Sequence, residues 1–357
     1  MEVFFSIALV TMLTVFIILD GADFGVGIIN LFFAKDEKDK DSIIKSIGPF
    51  WDGNEVWLIA AGGVMFFAFP KLYASVFSGF YLPLIIVLWL LIFRAIGLEF
   101  RNLVNNKLWE TVWDKSFGIA SLLLALFFGA ALGNVVRGVN LGGVVAGVSK
   151  YEPIYFFNPL WNEYFSPLVP DKGVLDWFTV ILGLIAIVTL TIHGAAWVIL
   201  KTNSTINEKL KKIILIFSLS LIPLIIISIF AWLWVKPDAM SNYFQYPVLW
   251  VFPLTVLIGL TGLFRTKNFK KDSSAFVFSS VFIIGSFGST AASLFPVLLP
   301  SSNSLNPSLT IFNASASEYG LNVGIIWWAV AIILVLGYFY YVHHVFKGKV
   351  DDIEYHG

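Results

Sequence analysis

The chain alternates between long apolar runs and short polar connections. Nine runs stand out, at roughly 3–33, 53–70, 74–98, 115–136, 174–200, 213–235, 247–264, 274–298 and 322–346. Most have about the 20 residues that a helix needs to cross a bilayer. They are solidly apolar, as in Leu82–Phe93 and Ile213–Phe230, and do not alternate with period two. In lipid every backbone N–H and C=O must be satisfied internally, which leaves helices or a closed barrel. Solid runs predict helices. The expected fold is all-α: a polytopic membrane protein with nine transmembrane helices. The order of runs is compatible with two four-helix bundles plus one extra helix. That division places a first four-helix unit at 1–140, an outer aromatic loop at 141–173 and a second four-helix unit at 174–300. An outer loop, the ninth helix and a tail fill 301–357. No residue-level repeat accompanies this grouping.

The connections carry an orientation. Lys35, Lys38, Lys40 and Lys45 follow the first run, and Arg94, Arg101, Lys107 and Lys115 surround the end of the third. Lys201, Lys209, Lys211 and Lys212 follow the fifth run, Arg265, Lys267, Lys270 and Lys271 the seventh, and Lys347 and Lys349 the ninth. That is 18 of the 23 basic residues; the alternate connections hold Lys71, Arg137, Lys150, Lys172 and Lys236. Basic residues gather on cytoplasmic loops. The expected topology has the N-terminus outside and the C-terminus inside.

Two outer connections are long. Residues 137–173 hold Tyr151, Tyr155, Phe156, Phe157, Trp161, Tyr164 and Phe165 among Pro153, Pro159, Pro167 and Pro170. Such aromatic crowding suits a segment at the membrane interface or against a partner; an ordinary packed loop reads the same. Residues 299–321 hold Pro300, Ser301, Ser302, Asn303, Pro307 and Asn313.

Composition narrows the class. The chain is 58% hydrophobic and 13% charged, against about 25% charged for soluble domains. A net charge of zero makes no case for nucleic acid. With no cysteine there is no disulfide, iron–sulfur or thiol chemistry. Met1–Asp20 has no basic region before its apolar stretch, so it reads as the start of a first helix, not as a cleaved leader. Nucleophile elbows, phosphate loops and metal clusters do not occur.

Ionisable residues inside apolar runs are costly and usually face the protein interior. Asp20, Asp23 and Asn30 share one face of the first helix, with Gly21 and Gly25 allowing another backbone to approach. They read as a proton or ion route, or as carboxylates that tie the bundle together. Asp52 and Glu55 lie three apart at the start of the second run, after Pro49. Asp52 reads as a proton carrier or as a helix cap. Arg94, Glu99 and Arg101 end the third run. The arginines either pair with Asp20, Asp23 or Asp52, or snorkel to lipid phosphates. His193 in the fifth run reads as a hydrogen-bonded or proton-handling residue, with haem ligation the lesser alternative. Ser286, Ser289, Thr290 and Ser293 suit hydrogen bonds between helices.

Several blocks resemble subunit II of cytochrome bd-type quinol oxidases. They are Gly21-Ala22-Asp23-Phe24-Gly25-Val26-Gly27, the stretch Gly48–Leu58 with Trp51-Asp52-Gly53-Asn54, and Phe77–Tyr81. Phe93-Arg94 with Glu99-Phe100-Arg101, Gly133–Gly138 and Phe295–Ser302 join them. The resemblance runs from the first helix to the ninth and is weakest over 140–172 and 236–246. It implies a subunit without haem, needed for assembly with a haem-bearing subunit I that carries haems b558, b595 and d. The complex would oxidise quinol and reduce dioxygen to water in a bacterial or archaeal cytoplasmic membrane. A structurally bound quinone and a small third subunit are possible companions, with lipid around them. The family offers a cytoplasmic proton path in which Asp52 looks like the main carrier. No essential role carries over to His193. The alternative is an ion-coupled secondary transporter using Asp20, Asp23 and Asp52, which broken helices at the bilayer midplane would favour.

Overall fold

The computed structural model describes residues 1–142, 156–169, 172–266, 271–302 and 306–350, and the backbone of 144–145 and 148–149. Twelve α-helices follow in order among them. They are α1 (Glu2–Phe32), α2 (Glu37–Lys45), α3 (Trp51–Ala68), α4 (Pro70–Gly79), α5 (Tyr81–Phe100) and α6 (Lys107–Arg137). Then come α7 (Trp177–Lys201), α8 (Asn207–Val235), α9 (Ser241–Gln245), α10 (Val251–Phe264), α11 (Ser273–Leu294) and α12 (Glu318–Val345). Two small antiparallel pairs, β1 (Val144–Val145) with β2 (Val148–Ser149) and β3 (Val297–Leu299) with β4 (Leu309–Thr310), lie in the loops.

Among the described residues, eight helical segments are long and apolar enough to cross a membrane. A ninth span requires α3 and α4 to count together, and these are bent by 120°. Proline disfavours helical geometry in the residue before it. Phe69, just before Pro70, has φ −132° and ψ 62° and ends α3. The expected third helix, 74–98, is instead divided between α4 and α5. Pro83 lies in the first turn of α5, where its missing N–H costs nothing, and it could not sit in mid-helix so cheaply. A hydropathy pattern does not register that break. The eighth run also ends early. Helix α11 stops at Leu294, shortly before Pro296, and Val297–Leu299 form β3.

Local chemistry sets several starts. Asn106 accepts from the Leu108 and Trp109 amides at the start of α6. Asp176 opens α7 with a reciprocal capping box: its carboxylate takes the Phe178 and Thr179 amides, and Thr179 Oγ1 takes the Asp176 amide.

Helix α1 packs on α3, α6 and α7; α7 packs on α6, α8 and α11; α10 packs on α11; α12 leans on α3. The α1–α7 crossing is close because glycines face each other. A Cβ on Gly25 would overlap Leu190 O and lie 2.7 Å from Gly194 N. One apolar core joins α1 to α3, α5 and α6; another joins the later half of α1 to α7, α8, α10 and α11. Of α12 only Leu321 is fully buried; Ile325, Trp328, Ile332, Val335 and Phe339 form a half-buried stripe against the core, and the opposite face is exposed.

The loop between α6 and α7 divides its aromatics. Phe156 is buried, and Ser78 Oγ donates to its carbonyl at 3.2 Å, while Phe157, Trp161, Tyr164 and Phe165 stay exposed. Tyr151, Pro153, Tyr155, Pro170 and Asn303, with the basic residues Lys150, Lys267 and Lys270, lie outside the described residues.

Candidate buried carboxylate site

Three helices converge on Arg94 of α5. Its guanidinium donates from Nη1 to Asp20 Oδ1 of α1 at 2.5 Å and from Nη2 to Glu55 Oε1 of α3. It lies over the Phe24 ring, 4.8 Å from the centroid. Arg94 is 0% exposed, so it does not snorkel to the lipid phosphates. It pairs with Asp20, the inward alternative.

Asp23, one turn along α1, accepts from Asn54 Nδ2 at 2.8 Å. Asp20 and Asp23 are both buried, while the Glu55 side chain keeps 25% of its surface exposed. Glu55 is therefore the member of the set that reaches the chain's own surface. The set is short of donors. Asp20 Oδ2, Asp23 Oδ1 and Asn54 Oδ1 are buried without a hydrogen-bond partner, and Arg94 Nε is without an acceptor. One guanidinium faces three carboxyl groups. A proton held between the Asp20 and Asp23 oxygens would supply the missing donor, because a protonated carboxyl both donates and accepts. A proton shared in this way would lower the negative charge buried beside Arg94.

The other expected site residues fall elsewhere. Asp52 is exposed, on the α3 face that carries Val56 and Ile59, and it is not drawn into the Arg94 set. It does not cap α3 either: that helix has no side-chain cap bond. Glu99 is exposed. Arg101 lies seven residues from Arg94 yet serves a separate network. It pairs with Asp114 of α6 at 2.7 Å, Asp41 of α2 at 2.7 Å and Glu37 of α2 at 3.3 Å.

His193 is fully buried in α7 and stacks on Phe276, with centroids 4.6 Å apart. Its Nδ1 lies 2.7 Å from Ser279 Oγ and its Nε2 lies 2.7 Å from the Ile18 carbonyl. A carbonyl only accepts, so Nε2 carries a proton and donates. Both nitrogens are engaged, and His193 does not fit a haem iron. Its hydrogen bonds join α7 to α11 and α1, which favours the polar alternative.

Some members escaped sequence reasoning. Asn54 sits inside a block already singled out, but its amide shows no charge to attract attention. Asp114 lies just before the fourth apolar run, where a carboxylate reads as an ordinary helix end. Arg137 of α6 stands in the Gly133–Gly138 block, but its sequence position reads as a loop cation and not as a buried ion-pair partner. It is buried, 3.1 Å from Asp176 Oδ2, and donates to Asn134 Oδ1 at 2.6 Å and Gly173 O at 2.5 Å.

Fold and site thus define a polytopic helical membrane protein with a buried carboxylate set around an arginine. Residues 1–346 match the sequence family of cytochrome bd terminal oxidase subunit II, and the chain belongs to that family. It is 29% identical to the "Probable cytochrome oxidase subunit 2" of Haemophilus influenzae, over 97% of this chain and 94% of that protein. It is also 29% identical to the "Cytochrome bd-I ubiquinol oxidase subunit 2" of Escherichia coli K12, over 95% of this chain and 93% of that one. The "Cytochrome bd ubiquinol oxidase subunit 2" of Bacillus subtilis matches at 29%, over 95% and 94%. The fold is that of a chain in the bd oxidase structure from Geobacillus thermodenitrificans, with TM-score 0.74, 18% identity and 97% and 98% of the two chains covered. None of these comparisons supports the transporter alternative. Helix α1, which carries Asp20 and Asp23, is continuous.

Proposed function

We propose that this chain is the second subunit of a bd-type quinol oxidase, without haem of its own, and that it supplies a proton path. The complex oxidises quinol and passes the electrons to dioxygen, which takes up protons to become water. The family carries haem chemistry in its complex. Here the haems are assigned to subunit I, the partner on which this chain depends for assembly. A small third subunit and a structurally held quinone belong to the same reading. So do the division into units at 1–140 and 174–300 and a bacterial membrane with the N-terminus outside.

Within this chain the roles divide by geometry. Asp52 and Glu55 stand at or near the surface of α3 and collect protons. Asp20 and Asp23 store them in the interior. Arg94 holds Asp20 and Glu55 at fixed positions and offsets their charge. Asp52 on an otherwise apolar face calls for a covering partner, because a lone carboxylate against lipid is costly. The observation that carries the reading is the set of buried carboxylate oxygens without a donor around Arg94.

The test is co-purification followed by substitution. The chain should travel with a haem-bearing subunit, and Asp52→Asn should leave assembly and haem content near normal while slowing quinol-driven oxygen uptake per haem. Asparagine can hydrogen-bond but cannot release and rebind a proton. Asp52→Glu should keep more activity. Parental turnover in Asp52→Asn would remove this residue from the path. A colourless chain that transports ions alone would overturn the oxidase reading.

A further inference from the structure

Asp20, Asp23, Gly27 and Asn30 are spaced by three, four and three residues. They form one stripe along about 15 Å of α1. The first two belong to the carboxylate set. The stripe remains polar beyond them. Gly27 leaves room for Ser121 of α6, and a Cβ built there would overlap Ser121 Oγ. Ser121 is fully buried, and its hydroxyl bonds to no protein group. One turn on, Asn30 is 2% exposed, and neither its amide nitrogen nor its amide oxygen has a protein partner. Ser42 of α2, the helix that packs on this end of α1, likewise has a buried hydroxyl without one. On the same helix, Glu37, Asp41 and Ile44 line a cleft of about 320 Å³ together with Arg101 and Glu110.

Buried polar side chains nearly always bond to protein or to ordered water. Apolar residues would fill this stripe without leaving donors and acceptors unmet. We propose that Asn30 and Ser121 hold a file of buried water molecules along α1. The file joins the Asp23–Asp20 pair to the α2 side of the membrane, as an inlet separate from Asp52. The proposal rests on the reading above that these carboxylates carry protons. The balance is simple. One proton enters the file from the cleft, each water accepts one and passes one on, and one proton arrives on Asp23. Asn30 and Ser121 orient the waters and do not titrate.

The test uses the whole oxidase. Asn30→Leu removes both amide atoms at similar size. Oxygen uptake per haem should fall about tenfold, less than the roughly 10²–10⁴-fold of a group that itself transfers the proton, because Asn30 only orients the waters. The melting temperature of the complex should hold. Asn30→Thr, which keeps a hydroxyl for water, should recover most of the rate; recovery would not follow if the residue only filled space. Parental turnover in Asn30→Leu, with Asp23→Asn slow, overturns the inlet and leaves the carboxylate reading standing. If neither variant slows, that reading itself fails. If Asn30→Leu does not assemble, Ser121→Ala and a structure of the parent complex that resolves waters decide. A slowed Ser121→Ala with waters against Asn30 supports the file, and no water there overturns it.

Discussion

Two buried arginines show how one residue type serves different ends. Arg94 sits where α1, α3 and α5 meet, with carboxyl groups in excess: Asp20 and Glu55 as partners and Asp23 one turn away. Arg137 sits at the far end of α6, where cations are in excess among the described residues. Lys172 is buried beside it, and Asp176, the one carboxylate near both among those residues, is already committed to capping α7. What is left over differs too. At Arg94 it includes carboxylate oxygens, which can take a proton. At Arg137 the donor Nη1 is left over, while Nε and Asp176 Oδ2 face each other at 3.1 Å as an ion pair without hydrogen-bond geometry. The first arrangement suits proton handling. The second fastens the end of α6 to the start of α7, with Arg137 bonding to Gly173 O and Asn134 bonding to Val174 O.

The largest expected effect comes from removing a cation from the first site. Arg94→Met leaves Asp20 and Glu55 unpaired. Breaking a buried pair by removing one partner costs about 3–5 kcal/mol. Little assembled complex should be recovered, as judged by haem content of purified membranes. Arg94→Lys keeps the charge but not two prongs to two helices, and should fall between. Normal assembly of Arg94→Met would show that the site is not held together by its ion pairs.

A smaller effect separates the two regions by chemistry. Asp23→Asn keeps a hydrogen-bonding side chain against Asn54 but cannot carry a proton. Oxygen uptake per haem should drop while assembly is largely kept. Asp176→Asn is the control. Asparagine caps as well as aspartate does, so α7 should start normally and turnover per haem should stay at the parental level. Equal slowing by both substitutions would erase the distinction drawn here.

Much of this was legible in sequence, for a physical reason. A membrane span is specified by composition over about 20 residues, so α1, α6, α7, α8, α10 and α12 fall close to their apolar runs. The burden on buried charge marked Asp20, Asp23 and Arg94 before any coordinates, and Glu55 with them. Three things were not legible. The break between α4 and α5 depends on backbone geometry around Phe80 and Pro83, inside a run that is apolar on both sides. The separation of Asp52 from Glu55 depends on which way α3 is rotated. Three residues apart puts both on one side of a helix, but about 60° of difference is enough to send one toward Arg94 and the other outward. Arg137 and Asp176 lie 39 positions apart, and no local spacing announces a pair joined only when α6 packs on α7.

The smallest effect probes the second region by pH. Burial lowers the Lys172 ammonium to about 8 from its usual 10.5, and the nearby Arg137 charge pushes the same way against Asp176. Between those two values the unfolded chain holds a proton that the folded chain has released. Stability therefore rises with pH across the window. Below about 8 both states are protonated, and the folded chain bears the full penalty of a buried ammonium. Lys172→Met has no charge to bury. It should melt above the parent at pH 7 by about 2–4 °C, which roughly 1 kcal/mol produces in a domain of 150–250 residues. The gap should close as pH rises toward 10. Thermal melts of purified complex at stepped pH measure it. A gap independent of pH would mean that the Lys172→Met variant gains only by packing. A parent that outmelts the variant at pH 7 would mean that the ammonium is held by a partner strong enough to reverse the cost of burial.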